Sequence, residues 1–175
     1  MKPAASRRLQ LWIAQGFGAG RVPVAPGTFG SLVGLLWTAA LLATGNLWCA
    51  AAGLTAGFVL SVWLCGAAEK ILGARDPGCV VLDEIAALPL GFAGWIAFHL
   101  HTTGQLPESR FFLTGQGAAI ALAGFAAFRV FDIWKPWPVR QSQSLPGGWG
   151  VTVDDFLAAV YVNLIWLPAA WLGWL

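Results

Sequence analysis

Long apolar runs that contain no charged side chain alternate with short polar segments along this chain. The charge-free apolar runs cover positions 30–68, 85–107, 111–128 and 156–175. A helix needs roughly 20 residues to cross a bilayer, so the first run is long enough for two helices joined by the polar turn at 44–46. The pattern therefore predicts an all-α fold with about five transmembrane helices, at about 29–44, 47–68, 80–99, 111–132 and 153–174.

The first 20 residues combine basic and apolar positions, as a secretory signal peptide does. Arg7 and Arg8 precede the apolar segment 9–20, but this segment contains Gln10 and Gln15 and has no small-x-small cleavage site. A basic residue and two prolines follow soon afterwards. We therefore expect an N-terminal interfacial helix that leads into a Gly/Pro-rich loop, and not a cleaved signal.

The composition favours lipid as the surrounding solvent. Hydrophobic residues make up 58% of the chain and charged residues 10%, against about 25% in ordinary globular proteins, and the mean hydropathy is +0.69. Such a chain cannot cover a soluble fold with polar surface, and a disordered or disulfide-stapled chain is excluded as well. A net charge of +2 gives no reason to expect nucleic acid as a partner. No repeat or polar linker divides the sequence, so we expect residues 1–175 to form a single membrane-embedded domain.

Charged residues are distributed unequally between the two sides that five helices would define. Nine of the ten Lys and Arg residues, and seven of the eight Asp and Glu residues, fall on the side of the N-terminus. Only Arg110 and Glu108 fall on the other side. Because cytoplasmic loops are rich in Lys and Arg, we expect a multi-pass protein of the bacterial cytoplasmic (inner) membrane with its N-terminus in the cytoplasm. The charged groups therefore indicate that a functional site lies at the cytoplasmic face.

Two adjacent acids interrupt an otherwise apolar segment. Asp83 and Glu84 lie in the middle of the segment 80–88. Ionised carboxylates in such a setting are costly unless they are paired or bound to a metal, so they are functional candidates. Asp76 lies seven residues before Asp83, and Pro77 can start a helix. The segment is therefore expected to bring three carboxylates to one helix N-terminus.

Cations and an acid alternate at helical spacing before Pro136. Arg129, Asp132 and Lys135 follow one another at intervals of three residues, so they share one helix face. Two interpretations are open: an anion-binding site beside an acid, or an intrahelical ion pair with a lysine that extends to the lipid headgroups. Arg140 follows beyond the proline-rich exit of this helix.

A glycine loop at 146–150 leads into the last predicted span. Backbone N–H groups of such a loop, here at Gly147 and Gly148, can converge on a bound phosphate. Asp154 and Asp155 follow, and two adjacent acids at the edge of lipid are costly without a counter-ion. We therefore expect a cation between this pair and the acidic pair of the earlier segment.

The chemistry of these side chains indicates metal-assisted phosphoryl hydrolysis. The acids offer hard oxygen ligands without a supporting His or Cys cluster, which suits Mg²⁺ held by carboxylates, waters and a substrate phosphate. Arg129, Lys135 and Arg140 complement the charge of the phosphate, and the hydroxyls of Thr28 and Ser31 begin a predicted span on the same side. Both histidines fall on the opposite side and are expected to be interfacial.

Four segments, in a fixed order, cover most of the chain. They are the glycine-rich 16–20 with Ala-Pro-Gly-Thr-Phe-Gly-Ser at 25–31, Asp-Pro-Gly-Cys-Val-Val-Leu-Asp-Glu at 76–84, Phe-Arg-Val-Phe-Asp-Ile-Trp-Lys-Pro-Trp-Pro-Val-Arg at 128–140, and Gly-Gly-Trp-Gly at 147–150 with Asp-Asp at 154–155. The third segment is the most specific. In these residues and in their order the chain resembles the bacterial phosphatidylglycerophosphatase A family.

The resemblance implies a Mg²⁺-dependent membrane phosphatase that converts the lipid phosphatidylglycerophosphate into phosphatidylglycerol and phosphate. By position, the acidic set that would bind the metal is Asp76, Asp83, Glu84, Asp132, Asp154 and Asp155. The expected catalytic residues are Asp83, Glu84, Asp132 and Asp155. The resemblance implies that Arg129 and Lys135 face the phosphate. Together with the residues described above, the expected phosphate-binding set is Arg129, Lys135, Arg140, Thr28, Ser31, Gly147 and Gly148.

Two positions depart from the family pattern, and the reaction path has two versions. Ala87 stands where many relatives have Gly, and Pro146 stands where some have His. Without that histidine, a metal-bound water, a carboxylic acid or Lys135 must protonate the leaving group. A metal-bound water that attacks phosphorus directly and a phospho-aspartate intermediate are both open. The sequence leaves the oligomeric state undetermined.

A small transporter or proton-relay protein is the alternative function. Such a protein uses intramembrane acids to carry ions and places them near the bilayer midplane. Here the acids gather near helix ends on one face. This distribution favours the enzyme.

Overall fold

The computed structural model describes residues 5–172, and every regular element among them is helical. Two 3-10 turns, Gly16–Arg21 and Ser109–Leu113, join longer α-helices. The α-helices are α1 Ala5–Ala14, α2 Pro26–Leu42, α3 Leu47–Leu72, α4 Leu82–Gly91, α5 Ala93–Thr103, α6 Gly115–Trp134, α7 Val139–Ser142 and α8 Gly148–Trp171. The predicted all-α class is confirmed. Positions 173 and 174 of the last predicted span lie outside the described residues, as does the first part of the basic N-terminus.

Among residues 5–172, four helical segments are long and apolar enough to cross a membrane, by length and composition. They are Leu47–Leu72, Leu82–Thr103, Gly115–Trp134 and Gly148–Ala170. The remaining predicted span, at about 29–44, corresponds to α2, which has 17 residues and is roughly 25 Å long. The predicted polytopic helical bundle is confirmed. Helix α2 is shorter than the four segments that are long enough to cross a membrane.

The third membrane segment is broken between α4 and α5. Pro89 cannot donate a backbone hydrogen bond, and the helix breaks at Phe92. Asn163 on α8 satisfies the freed groups: its Nδ2 donates to the carbonyl of Leu90 at 3.0 Å, and its Oδ1 accepts from the N–H of Gly94 at 2.5 Å. Trp166 donates its indole N–H to the carbonyl of Gly91 at 2.7 Å. The break is therefore stabilised by α8.

Helix α4 lies in the middle of the bundle and packs against α2, α3 and α8. Small residues allow this close packing. A Cβ at Gly30 would lie 2.7 Å from Val81 Cβ, and one at Gly34 would lie 3.0 Å from Leu88 Cβ. The glycine pair on α2 thus brings that helix against α4, as small-residue spacing does in membrane bundles.

The chain order defines two ends of the bundle. Helices α2, α4 and α8 begin, and helices α3 and α6 end, at one end, which we call the site end. A small apolar cluster that includes Ala14, Leu64, Cys65 and Val151 packs there. A larger cluster around Phe92, Phe128 and Trp166 fills the body of the bundle. The side chains of the candidate site lie on the helix turns at the site end.

Candidate active site

Three helix ends supply the candidate site. Asp83 and Glu84 lie in the first turn of α4, and Asp132 lies in the last turn of α6. Helix α6 stops at Trp134 because Lys135 adopts a left-handed conformation (φ +49°) and a proline follows. Helix α8 begins after a glycine loop and carries Asp154 and Asp155 in its second turn. The turn geometry therefore directs acids from three different helices toward one place.

The acids of this place are removed from water. The exposed fractions are 5% for Asp83, 8% for Asp132, 2% for Asp154 and 3% for Asp155. One carboxylate oxygen each from Asp83, Glu84 and Asp155 lies within 4.8 Å of the other two. Buried carboxylates at such distances repel one another strongly unless cations neutralise them. The structure thus brings together five acids from three separate segments of the sequence.

Arg129 and Lys135 are the cations that enter this cluster. Nη1 of Arg129 lies 2.5 Å from Oδ2 of Asp132 and 3.6 Å from Oε1 of Glu84. Nζ of Lys135 pairs with Asp154 and lies 3.8 Å from Oδ1 of Asp132. The intrahelical ion pair that the sequence allowed is therefore present. Each cation also reaches an acid on another helix, which a purely local pair does not do.

Lys135 keeps its positive charge in this setting. Burial alone lowers the pKa of the ammonium group, but the carboxylates of Asp154, Asp155 and Asp132 raise it, and the net pKa lies above its ordinary value. A protonated lysine beside the acidic cluster can stabilise a negatively charged ligand such as a phosphate.

Two buried polar atoms of the cluster lack a hydrogen-bond partner among residues 5–172. They are Oε2 of Glu84, which is an acceptor, and Nε of Arg129, which is a donor. A buried polar atom without a partner costs about 1–3 kcal/mol. A cation next to Glu84 and an anion next to Arg129 would satisfy both atoms. The donor set, which is oxygen-only on the acidic side, fits a hard divalent cation such as Mg²⁺.

The N-terminus of α2 closes one side of the site. A Cβ added at Gly27 would overlap Oε1 of Glu84 and lie 3.0 Å from Nη1 of Arg129. Thr28 follows in the same turn and is half-buried. Ser31 is fully buried and donates its hydroxyl to the carbonyl of Gly27 at 2.9 Å, within α2. The α2 backbone thus lies directly against the Glu84–Arg129 pair.

The glycine loop before α8 contains two predicted phosphate-binding residues in different settings. Gly147 has φ +55° and lines a cavity of about 420 Å³ at the site end. Gly148 packs against α3, because a Cβ there would overlap the carbonyl of Val62. Close packing of α8 on α3 is therefore sufficient to explain a glycine at position 148.

Two other predicted residues lie outside the buried cluster. Asp76 is exposed in the loop between α3 and α4, but it lines the same cavity and interacts electrostatically with Asp83, Glu84 and Asp154. Arg140 is exposed on α7 and makes no ion pair within the part of the chain that the structure describes. The structure thus brings Asp76 to the margin of the site and leaves Arg140 outside it.

Sequence reasoning did not identify Gly27 or Glu69 as site residues. Gly27 was part of a recognised segment, but its contact with Glu84 is tertiary and has no signal in the spacing. Glu69 accepts the backbone N–H of Asp76 through Oε1 at 2.9 Å. A side chain that bonds to backbone leaves no pattern of residue types, so only the structure could reveal it.

Comparison with known proteins identifies the family. The family model described as "Phosphatidylglycerophosphatase A" matches residues 12–170. This chain belongs to the phosphatidylglycerophosphatase A family. Family members are phosphatases, so the predicted family and enzyme class are confirmed. The match covers all four segments that carried the resemblance and every residue of the buried acidic cluster.

Curated relatives agree over almost the whole chain. Phosphatidylglycerophosphatase A of Escherichia coli (strain K12) is 34% identical over 91% of this chain and 85% of its own length. The Haemophilus influenzae protein of the same name is 32% identical over 87% and 83%. A Bacteroides thetaiotaomicron protein named "Putative phosphatidylinositol-3-phosphatase" is 34% identical over 93% and 94%. No solved structure matches the chain with significance.

Proposed function

We propose that this protein hydrolyses the terminal phosphate of phosphatidylglycerophosphate, with Mg²⁺ as cofactor, at the cytoplasmic face of a bacterial inner membrane. The observation that carries the proposal is the pair of unpartnered buried atoms, Glu84 Oε2 and Arg129 Nε. They belong to side chains whose charged atoms lie 3.6 Å apart. The unsatisfied acceptor of Glu84 can bind a cation, and the unsatisfied donor of Arg129 can bind an anion. A metal ion bound to a phosphate supplies both.

The proposed metal ligands are acids on two helices. Asp83, Glu84 and Asp155 have oxygens close enough together to share one ion. Asp132 and Asp154 already pair with Arg129 and Lys135, so in this proposal they hold those cations in place. When bound, the metal would supply Lewis acidity to a phosphate oxygen and lower the pKa of water.

Arg129 and Lys135 act on the phosphate in this proposal. Arg129 presents its unpartnered Nε to a phosphate oxygen, and its guanidinium is kept in position by Asp132 and Glu84. Lys135 stays protonated, so it can stabilise negative charge and give a proton to the leaving oxygen. The N-terminal turn of α2, with Thr28, adds backbone and hydroxyl donors next to Arg129.

A water molecule is the proposed nucleophile. Its oxygen forms a bond to phosphorus while the bond from phosphorus to the glycerol oxygen breaks. An acid of the cluster, such as Asp155, accepts the proton of the water. The rival version uses an aspartate as nucleophile and forms an acyl phosphate. Trapping of an acyl phosphate, or a burst of released lipid product before steady state, would contradict the direct attack by water.

The proposed orientation rests on the distribution of charge. The site end carries nearly all charged residues of the chain, and cytoplasmic loops are the basic ones in membrane proteins. A phosphatase at this face meets lipid phosphates in the cytoplasmic leaflet. The acids lie in helix turns at this end of the bundle and not at helix midpoints, which fits a site for a headgroup better than the ion path of a transporter.

The test is phosphate release by the purified full-length protein in detergent. Phosphatidylglycerophosphate is offered with Mg²⁺ and with excess EDTA, and phosphatidylinositol 3-phosphate is offered in parallel because one relative carries that substrate in its name. We expect release from phosphatidylglycerophosphate that requires Mg²⁺. No release by folded protein would overturn the proposed activity. Undiminished release in EDTA would overturn the requirement for Mg²⁺, and a clear preference for the inositol lipid would overturn the proposed substrate.

A further inference from the structure

The cavity at the site end has an acidic wall whose members are not all explained by the proposed reaction. Asp76, Glu69 and Gly147 all line it. Asp76 is exposed, whereas the acids with which it interacts are buried. Asp76 therefore lies at the margin between this water-accessible cavity and the buried carboxylates.

Asp76 is held in a conformation that it would not adopt readily by itself. Its φ is +44°, in the left-handed region that residues with a Cβ disfavour. Such a conformation is strained and persists only where neighbouring contacts impose it. A specific contact is present: Oε1 of Glu69 accepts the Asp76 N–H at 2.9 Å.

Glu69 is well placed to impose this conformation. It lies in the last turn of α3, and Gly73 caps that helix by donating its N–H to the Glu69 carbonyl at 2.8 Å. The Glu69 side chain is half-buried, and its Oε2 is the nearest atom to a Cβ built on Gly147, at 3.9 Å. One carboxylate therefore contacts the loop that carries Asp76 and faces the glycine loop before α8.

The neighbouring residue fixes the same loop from its other side. Arg75 donates a guanidinium N–H to the backbone carbonyl of Gln143, in the segment between α7 and α8. The loop between α3 and α4 is thus tied to α3 by Glu69 and to the segment before α8 by Arg75. The position of Asp76 is determined by these two contacts and not by its own preference.

We propose that Glu69 is a positioning residue that holds Asp76 in the cavity wall, so that Asp76 guides a divalent cation from water to the buried carboxylates. The inference rests on the proposed function, because it takes a divalent cation as the ligand of the acids. Glu69 acts through the backbone of Asp76. The acceptor oxygen of the Glu69 side chain is needed for this role, and the negative charge of that side chain is not.

Three substitutions separate the oxygen from the charge. Glu69→Gln keeps an acceptor oxygen at the same distance and removes the charge. Glu69→Asp keeps the charge but is one methylene shorter, so the acceptor no longer reaches the Asp76 N–H. Glu69→Ala removes both. Glu108→Ala is the matched control, because Glu108 is an exposed glutamate that pairs with Arg110 at the other end of the bundle.

The primary measurement uses no substrate. Thermal unfolding of each full-length variant in detergent is followed against Mg²⁺ concentration. The apparent Mg²⁺ dissociation constant that fits the rise in unfolding temperature, here called the Mg²⁺ midpoint, is compared. Loss of one hydrogen bond of about 1 kcal/mol corresponds to roughly a fivefold change in an equilibrium constant. We expect Glu69→Ala and Glu69→Asp to raise the Mg²⁺ midpoint about fivefold, and Glu69→Gln and Glu108→Ala to leave it within about twofold of wild type.

The phosphatase assay gives the second measurement. The Mg²⁺ concentration for half-maximal phosphate release should rise in Glu69→Ala as the stability midpoint does, while turnover at saturating Mg²⁺ stays within about twofold of wild type. A role of Glu69 in chemistry would instead lower turnover at saturating Mg²⁺. If Glu69→Ala does not yield folded protein, Glu69→Asp provides the same comparison with Glu69→Gln.

The outcomes distinguish this inference from the proposed function. If the wild-type protein shows neither stabilisation nor activity with Mg²⁺, the proposed function itself fails. If the wild type responds and Glu69→Ala has the wild-type midpoint, only the role of Glu69 fails. An equal shift in Glu69→Gln and Glu69→Ala would assign the effect to charge, and it would overturn positioning through the backbone.

Discussion

Replacement of Gly27 with alanine adds a single methyl group at the point where α2 meets the Glu84–Arg129 pair. The new Cβ would overlap Oε1 of Glu84 and lie 3.0 and 3.2 Å from the two Nη atoms of Arg129. Gly27 lies within a helix, where alanine is preferred over glycine by about 1 kcal/mol. The substitution therefore perturbs the site without weakening the helix that carries it.

The size of the effect follows from the displacement. To restore ordinary van der Waals contact, the Glu84 carboxylate must withdraw by about 1 Å, or the first turn of α2 must move away from Arg129 by a similar distance. Misplacement of a reacting group by about 1 Å can cost roughly 100-fold in rate. We expect Gly27→Ala to lower phosphate release from phosphatidylglycerophosphate by about 100-fold, with thermal stability near that of wild type.

Gly57→Ala is the matched control for this experiment. Gly57 also lies within a helix, but a Cβ there meets Ala86 Cβ at 3.6 Å and Trp37 Nε1 at 3.7 Å, which are ordinary contacts. Both variants are assayed in detergent at saturating Mg²⁺, and their unfolding temperatures are measured. Wild-type turnover in Gly27→Ala would refute the proposed geometry. An equal loss in Gly57→Ala would show that the enzyme is sensitive to any added methyl group in a helix.

Three further substitutions test other parts of the site and fold. Asp155→Asn should lower turnover at least about 100-fold and raise the Mg²⁺ midpoint, while Glu108→Gln should do neither; wild-type kinetics in Asp155→Asn would remove it from the metal set. Arg129→Lys should lower turnover about tenfold or more, because a compact ammonium group lacks the planar guanidinium fork that faces Asp132, Glu84 and a phosphate in different directions; an unchanged rate argues against the fork geometry. Asn163→Ala should lower the free energy of unfolding by about 1–3 kcal/mol, since Gly94 N–H and Leu90 C=O lose partners; an unchanged denaturation midpoint would contradict that account of the helix break.

The positions of the spans could be predicted because lipid imposes a simple rule on composition. Each apolar run had to be helical and long enough to cross, so counting residues between charges located the four segments of residues 5–172 that are long and apolar enough to span a membrane. The same counting treated 80–99 as one continuous span, although α4 ends at Gly91 and α5 begins at Ala93. Pro89 is visible in the sequence, but the break is stabilised by Asn163 and Trp166, which belong to another helix.

The candidate site shows a similar division between local and tertiary information. The row of Arg129, Asp132 and Lys135 follows from helical periodicity and was predictable. The pairing of Lys135 with Asp154 and of Arg129 with Glu84 depends on how α4, α6 and α8 pack, which no spacing within one segment reveals. Glu69 contacts a backbone N–H group, and Gly27 fits against the site because it has no side chain. Neither kind of contact leaves a pattern in the sequence.

The charge of the cluster explains why these acids and cations occur together. Five carboxylates, those of Asp83, Glu84, Asp132, Asp154 and Asp155, surround the two cations Arg129 and Lys135, so the fully ionised cluster carries a formal charge of −3. A charge of this size in a buried site is costly, and one bound divalent cation reduces it to −1. The shortest ion pairs of the two cations are those with Asp132 and Asp154, and Arg129 lies 3.6 Å from Glu84. Asp83 and Asp155 therefore have no ion pair within residues 5–172, and Glu84 shares Arg129 with Asp132. The residues left without a full counter-charge are therefore the ones whose oxygens lie close enough together to bind a metal ion.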